Sequence, residues 1–113
     1  MSETFVFEGY AGPTLKVTTD NSADDLVNDA SLPMLHATTG DLCRAVTITC
    51  ETYDIRFTFG AVTPTIAGPV GHILAAGGSI RIANAKSIRS FQYINKTTNE
   101  FAVLYITPEY FKS

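Results

Sequence analysis

The dominant period of hydrophobic positions along the chain is two. Tyr53-Asp54-Ile55-Arg56-Phe57-Thr58-Phe59 sets four apolar residues on one face of an extended strand and three polar residues on the other. Just before it, Val46, Ile48 and Cys50 alternate with Thr47 and Thr49, and Glu51-Thr52 fits a hairpin link between the two runs. Further strands are expected at 4–8, 14–19, 79–83, 88–94 and 101–107. Within the last, Phe101-Ala102-Val103-Leu104-Tyr105-Ile106 is apolar on both faces, as in a strand covered on both sides. Clusters of Gly, Pro, Asn and Thr at 9–13, 60–71, 75–78 and 95–99 punctuate the runs. Seven to eight short strands so spaced predict one all-β domain over 1–113, an antiparallel β-sandwich or jelly-roll-like barrel.

Residues 20–37 break the rhythm. Ser22 with Asp25 three positions later resembles a capping box, so a helical turn is expected to start there, and Pro33 ends it. The segment reads as a long irregular loop or arm, lying across the sandwich or onto a neighbour.

Composition narrows the picture. A chain of 113 residues buries roughly two thirds of its unfolded surface and needs no disulfide or metal to fold. Only 17% of its residues are charged, and the net charge of −3 disfavours binding to polyanions at large. No apolar run approaches eighteen residues, and Met1-Ser2-Glu3-Thr4-Phe5-Val6-Phe7-Glu8 lacks the basic and apolar regions of a signal peptide. A protein made and assembled in a cytoplasm is expected, without contact to membrane. Cys43 and Cys50, placed on one extended strand with odd spacing, are expected on opposite faces roughly 23 Å apart, reduced and buried.

Candidate chemistry is sparse. Asp20-Asn21-Ser22-Ala23-Asp24 imitates the start of a calcium loop, but the sixth position is Asp25 where glycine is needed and the twelfth is Ser31 where glutamate is needed. His36 and His72 have no nucleophile or carboxylate at a motif spacing. Gly77-Gly78 lacks the Lys-Ser/Thr of a phosphate loop and reads as a turn, as does the formal sequon Asn95-Lys96-Thr97. No enzyme activity, cofactor or metal is therefore expected. The stretch 77–94 gathers Arg81, Lys86 and Arg89 beside Phe91 and Tyr93. Its basic residues alternate between faces and are balanced by acids elsewhere, so they read as solvated or interfacial strand charges, with no nucleic-acid partner.

The C-terminal half, with Ile55-Arg56-Phe57-Thr58-Phe59-Gly60, Pro64-Thr65, Gly71-His72-Ile73-Leu74, Gly77-Gly78-Ser79-Ile80, Phe91-Gln92-Tyr93-Ile94 and Ala102-Val103-Leu104-Tyr105-Ile106-Thr107-Pro108-Glu109-Tyr110, resembles small structural proteins of tailed bacteriophages. It is similar to capsid decoration (cement) or head proteins over roughly 53–110. The resemblance implies a many-copy virion protein on the capsid surface that contacts the major capsid protein and itself, as a dimer or trimer. Candidate contact residues are Phe5, Phe7 and Tyr10 near the N-terminus, Leu26, Met34 and Leu35 in the irregular segment, and Tyr110 and Phe111 after Pro108. Each could instead fill the sandwich's own core. A neck or tail connector and a carbohydrate-binding fibre module remain alternatives, the latter weakened by the absence of Trp.

Overall fold

The computed structural model describes residues 9–112; the strand expected at 4–8, with Phe5 and Phe7, lies outside them. In chain order the elements are β1 (Gly9–Ala11), β2 (Leu15–Thr18), β3 (Asp24–Asp25), β4 (Leu42–Glu51), β5 (Ile55–Thr58), β6 (His72–Leu74), β7 (Ser79–Ile82), α1 (Ala85–Ser90), β8 (Gln92–Asn95) and β9 (Val103–Phe111). They form two antiparallel sheets. The first has the order β1-β9-β4-β7, with β2 also paired to β9, and the second has the order β3-β8-β5-β6. The core lies between them, built from the inward residues Val46, Ile48, Leu104 and Ile106 of the first sheet and Ile55 and Tyr93 of the second. Such sheet-on-sheet burial is worth about 1.5–3 kcal/mol for each large apolar side chain.

The alternation of β9 is regular to the end: Leu104, Ile106, Pro108 and Tyr110 are buried, and the residues between them are half-buried. Proline inside a strand removes a ladder donor. The N–H and C=O of one residue point the same way in a strand, and the Pro108 carbonyl accepts from Gly12 N at 2.8 Å. The missing donor therefore faces the break between β1 and β2, where the ladder is already interrupted. This is why the strand continues to Phe111 and does not finish at Pro108.

Several expectations are corrected. The runs 46–50 and 53–59 do not form a hairpin: β4 pairs with β7 and β9, whereas β5 pairs with β6 and β8. The link Thr52 adopts φ of 81°, and the chain crosses there from one sheet to the other. Alternation in the second run also fails at both ends: Tyr53 precedes the strand and is exposed. Ile55 is buried and Phe57 half-buried, but Thr58 is buried, donating its hydroxyl to the Val62 carbonyl, and Phe59 is 37% exposed. The loop after β5 folds back over the outer face and covers Thr58. The strand expected at 88–94 begins only at Gln92, because Asn84 caps a short helix: its side chain accepts from Lys86 N at 2.8 Å and Ser87 N at 3.2 Å.

No helical turn starts at Ser22. Asp24 and Asp25 pair with Tyr93 and Gln92, and the Asp25 carboxylate accepts from the backbone of Asn28 and Asp29, closing a turn. The rest of the irregular segment is anchored, with Leu26, Ala30 and Leu32 in the core. Finally, the two cysteines do not point to opposite faces. The β4–β9 register shifts between Cys43 and Ala45, leaving Arg44 as the extra residue of a β-bulge, so parity inverts and both Cys43 and Cys50 face the core. Both are free thiols.

Candidate functional site

The first sheet carries an apolar row at one end. Leu35 bridges Leu42, Leu42 pairs with Phe111, and Phe111 pairs with Gly9. Directly paired residues share a face, and Phe111 has the outward parity of β9. Leu35, Leu42 and Phe111 therefore stand side by side on the outer face. Leu35 is 58% exposed, and the other two are half-buried. Gly9 completes the row without a side chain: a Cβ there would lie 2.5 Å from the Tyr110 carbonyl and 3.2 Å from the Phe111 ring.

At the same end of the sheet, on the face it shares with its partner Tyr110, Tyr10 organises a polar and aromatic corner. Its hydroxyl donates to Asp41 Oδ2 at 2.6 Å and lies 2.8 Å from Thr39 Oγ1. The bond to the Asp41 carboxylate is the chief reason that the phenol's pKa is raised above its usual value. His36 packs edge-on against Tyr110 and Tyr10, with ring centroids 5.1 and 5.8 Å apart. Its Nδ1 accepts from Thr38 N and Thr39 N, which assigns the ring proton to Nε2. Tyr110 in turn donates to the Pro33 carbonyl at 2.7 Å, pinning the irregular segment to β9. On the outer face, Gly9, Tyr10, Ala11, Thr47, Thr107, Pro108 and Glu109 line a largely apolar groove of about 530 Å³.

Of the residues expected to make contacts, Tyr10, Leu35 and Phe111 are thus gathered at one end of the first sheet, and Met34 is half-buried against the core. Leu26 and Tyr110 are core residues, 0% and 1% exposed, so their side chains present no surface to a partner. Phe5 and Phe7 belong to the segment that leads into β1, outside the described residues.

Two surface features were not anticipated. Phe59, Val62, Val70 and Ile73 are all more than a third exposed, on β6 and the loop that precedes it, and β6 is one edge strand of the second sheet. The nearby rings of Phe57, Phe59, Phe91 and His72 pack together with centroids 5.4–5.9 Å apart. Phe59 had the parity of a core residue, and Val62 and Val70 sat in a stretch that read as punctuation. The second feature is a basic cleft at the bulge of β4, where Arg44 joins Lys86 and Arg89 of α1. The signal for Arg44 is absent from the sequence, since the bulge that directs it follows from the sheet register.

Among the described residues no three His, Cys, Asp or Glu side chains come together as a metal site, and no helix is long and apolar enough to cross a membrane. Comparison with protein-family models, curated proteins and solved structures finds no match.

Proposed function

We propose that this is a non-enzymatic interaction protein and, following the resemblance of its C-terminal half, a decoration (cement) protein on a tailed-phage capsid. The observation that carries the reading is the outer-face row of Leu35, Leu42 and Phe111, with the apolar groove at Gly9, Ala11 and Thr107 adjoining it. These residues lie where the N-terminal segment bearing Phe5 and Phe7 joins the sheet. An exposed apolar row rimmed by polar groups is the usual form of a protein-binding surface. In this reading the row and the N-terminal segment grip the major capsid protein, and the protein acts in the virion as a dimer or trimer.

A small contact of this kind gains strength when several copies bridge subunits already fixed in a lattice, because the lattice raises the effective concentration of each site. The protein then binds assembled shells far better than free capsid protein, and raises the temperature at which shells open. Co-sedimentation with the shells of the parent particle, followed by a thermal scan, tests this. Equal affinity for free and assembled capsid protein, or an unchanged opening temperature at saturation, would overturn the decoration reading in favour of a neck or tail connector, which a copy number of about a dozen would then support.

A further inference from the structure

The charges of this acidic chain are unevenly committed. Arg81 pairs with Glu109 at 2.9 Å and Lys96 lies 4.0 Å from Asp54, while Arg56 Nη1 donates to the Gly71 carbonyl at 3.0 Å. Arg44, Lys86 and Arg89 have no acidic partner among the described residues, yet all three line one cleft of about 410 Å³. They reach it from distant parts of the chain. Lys86 and Arg89 stand three apart on α1 and so share a helix face, whereas Arg44 is the extra residue of the β4 bulge. Lys86 and Arg89 also line a neighbouring cavity with Asp25. The Asp25 carboxylate is occupied by its own turn, accepting from Asn28 N at 2.8 Å, Asn28 Nδ2 at 3.2 Å and Asp29 N at 3.0 Å.

Three cations held together repel one another unless an anion sits among them, and a concave wall concentrates their field. The cleft has the volume of a small-molecule site, and its remaining walls include the apolar residues Met34, Leu42, Ala83 and Ala85. Two guanidinium forks and one ammonium match the doubly or triply charged oxygens of a phosphomonoester or diphosphate better than a single carboxylate. We propose that the cleft between α1 and the β4 bulge binds the phosphate end of a small phosphorylated molecule, held by Arg44, Lys86 and Arg89 with the organic part against the apolar wall. Cys43 also borders the cleft, but its thiol faces the core and donates to the Ala45 carbonyl, so it takes no part in the site. This inference does not depend on capsid attachment.

Calorimetric titration of the full chain at low salt, with pyrophosphate and a nucleoside monophosphate as probes, tests it. Both are expected to bind with Kd below about 1 mM, weakened roughly tenfold by Arg44→Gln or Arg89→Gln. Lys16→Gln, which removes an exposed charge on β2, and Arg81→Gln are expected to change Kd less than about twofold, separating a built site from general attraction. All four altered side chains are exposed, and unchanged thermal midpoints confirm that the variants fold. Absence of binding at about 10 mM probe, or equal weakening by Lys16→Gln, overturns the proposal. So does tighter binding of a glutamate-rich peptide, or of an oligonucleotide without a terminal phosphate, than of the monophosphate.

Discussion

The hydroxyl of Thr19, just beyond β2, donates to the side-chain carbonyl of Asn95, the last residue of β8, and so joins the two sheets through a bond buried from solvent. Both side chains are bonded further. Thr19 Oγ1 accepts from Ala102 N at 2.8 Å, and Asn95 Nδ2 donates to Asn21 Oδ1 at 2.9 Å. Removing one partner strands polar groups that cannot reach water, which costs more than an average hydrogen bond contributes. Asn95→Ala and Thr19→Val are each expected to cost about 1–3 kcal/mol in urea unfolding. The double variant is expected to cost measurably less than the two together; strict additivity would mean that the bond does not couple the sheets.

A second expectation follows from the close approach of the β1–β2 link to β9. A Cβ on Gly12 would lie 2.4 Å from Tyr110 Cε2. The ring cannot swing aside, because its hydroxyl is bonded to the Pro33 carbonyl and it packs against the rings of His36 and Tyr10. Gly12→Ala is therefore expected to destabilise by about 1–3 kcal/mol and to alter the near-ultraviolet tyrosine signal. Pro13→Ala, at the exposed neighbour, is expected to stay within about 0.5 kcal/mol.

Much of this architecture is legible in the sequence. The alternation of Val46, Ile48 and Cys50 and the doubly apolar run from Phe101 to Ile106 place the two central strands of the first sheet. What escapes is what depends on partners distant in the chain. Nothing local distinguishes a hairpin at Glu51-Thr52 from a crossing between sheets, and the bulge at Arg44 arises from the register against Tyr110 and Glu109. Residues 85–90 are too few to show a helical period, although Asn84 is a good N-cap in retrospect. Of the contact row, Leu35 and Phe111 stood out as apolar residues near irregular or terminal chain. Their adjacency through Leu42 is a tertiary fact.

Alkaline pH should weaken the fold through its buried thiols. Burial pushes the Cys50 thiol up from 9.0 to about 11, and Cys43 is raised for the same chief reason. Between the two values the unfolded chain has released protons that the folded chain still holds, so stability falls as pH rises from about 9 to 11. Cys50→Ala is expected to flatten this slope in a pH series of thermal unfolding. In the native protein at pH 8 both thiols should react far more slowly with a thiol reagent than in denaturant, and a mass spectrum should show no internal disulfide.

Asp24 shows the same sign of linkage at acid pH. Its carboxyl is raised above 3.8, first by partial burial and then by the charges of Asp29, Asp20 and Asp25. Its contribution to stability is present below the unfolded value of 3.8 and is lost as pH rises through the folded one. At neutral pH the charged form thus opposes folding, and Asp24→Asn is expected to stabilise modestly, by about 0.2–1 kcal/mol. Below about pH 3.5 that advantage should vanish, and a gain independent of pH would point to a different cause.

Leu26 and Leu35 are the same residue type, nine positions apart in one irregular segment, but the first is fully buried and the second is 58% exposed on the outer-face row. Leu26→Ala leaves a cavity in the core and is expected to cost about 2–5 kcal/mol. Leu35→Ser removes little buried area and is expected to change stability by less than about 0.5 kcal/mol. If the row with Leu42 and Phe111 is the gripping surface, Leu35→Ser should nevertheless weaken co-sedimentation with assembled shells. Because each shell gathers many copies, a loss of about 1 kcal/mol per contact is magnified in the bound fraction. Leu35→Lys should abolish attachment by placing a charge where an apolar surface is covered. Thermal unfolding of the free variants alongside sedimentation with shells reads both effects together. Retention of full shell binding by Leu35→Lys would remove this row from the interface and direct the search to the exposed edge at Val70 and Ile73.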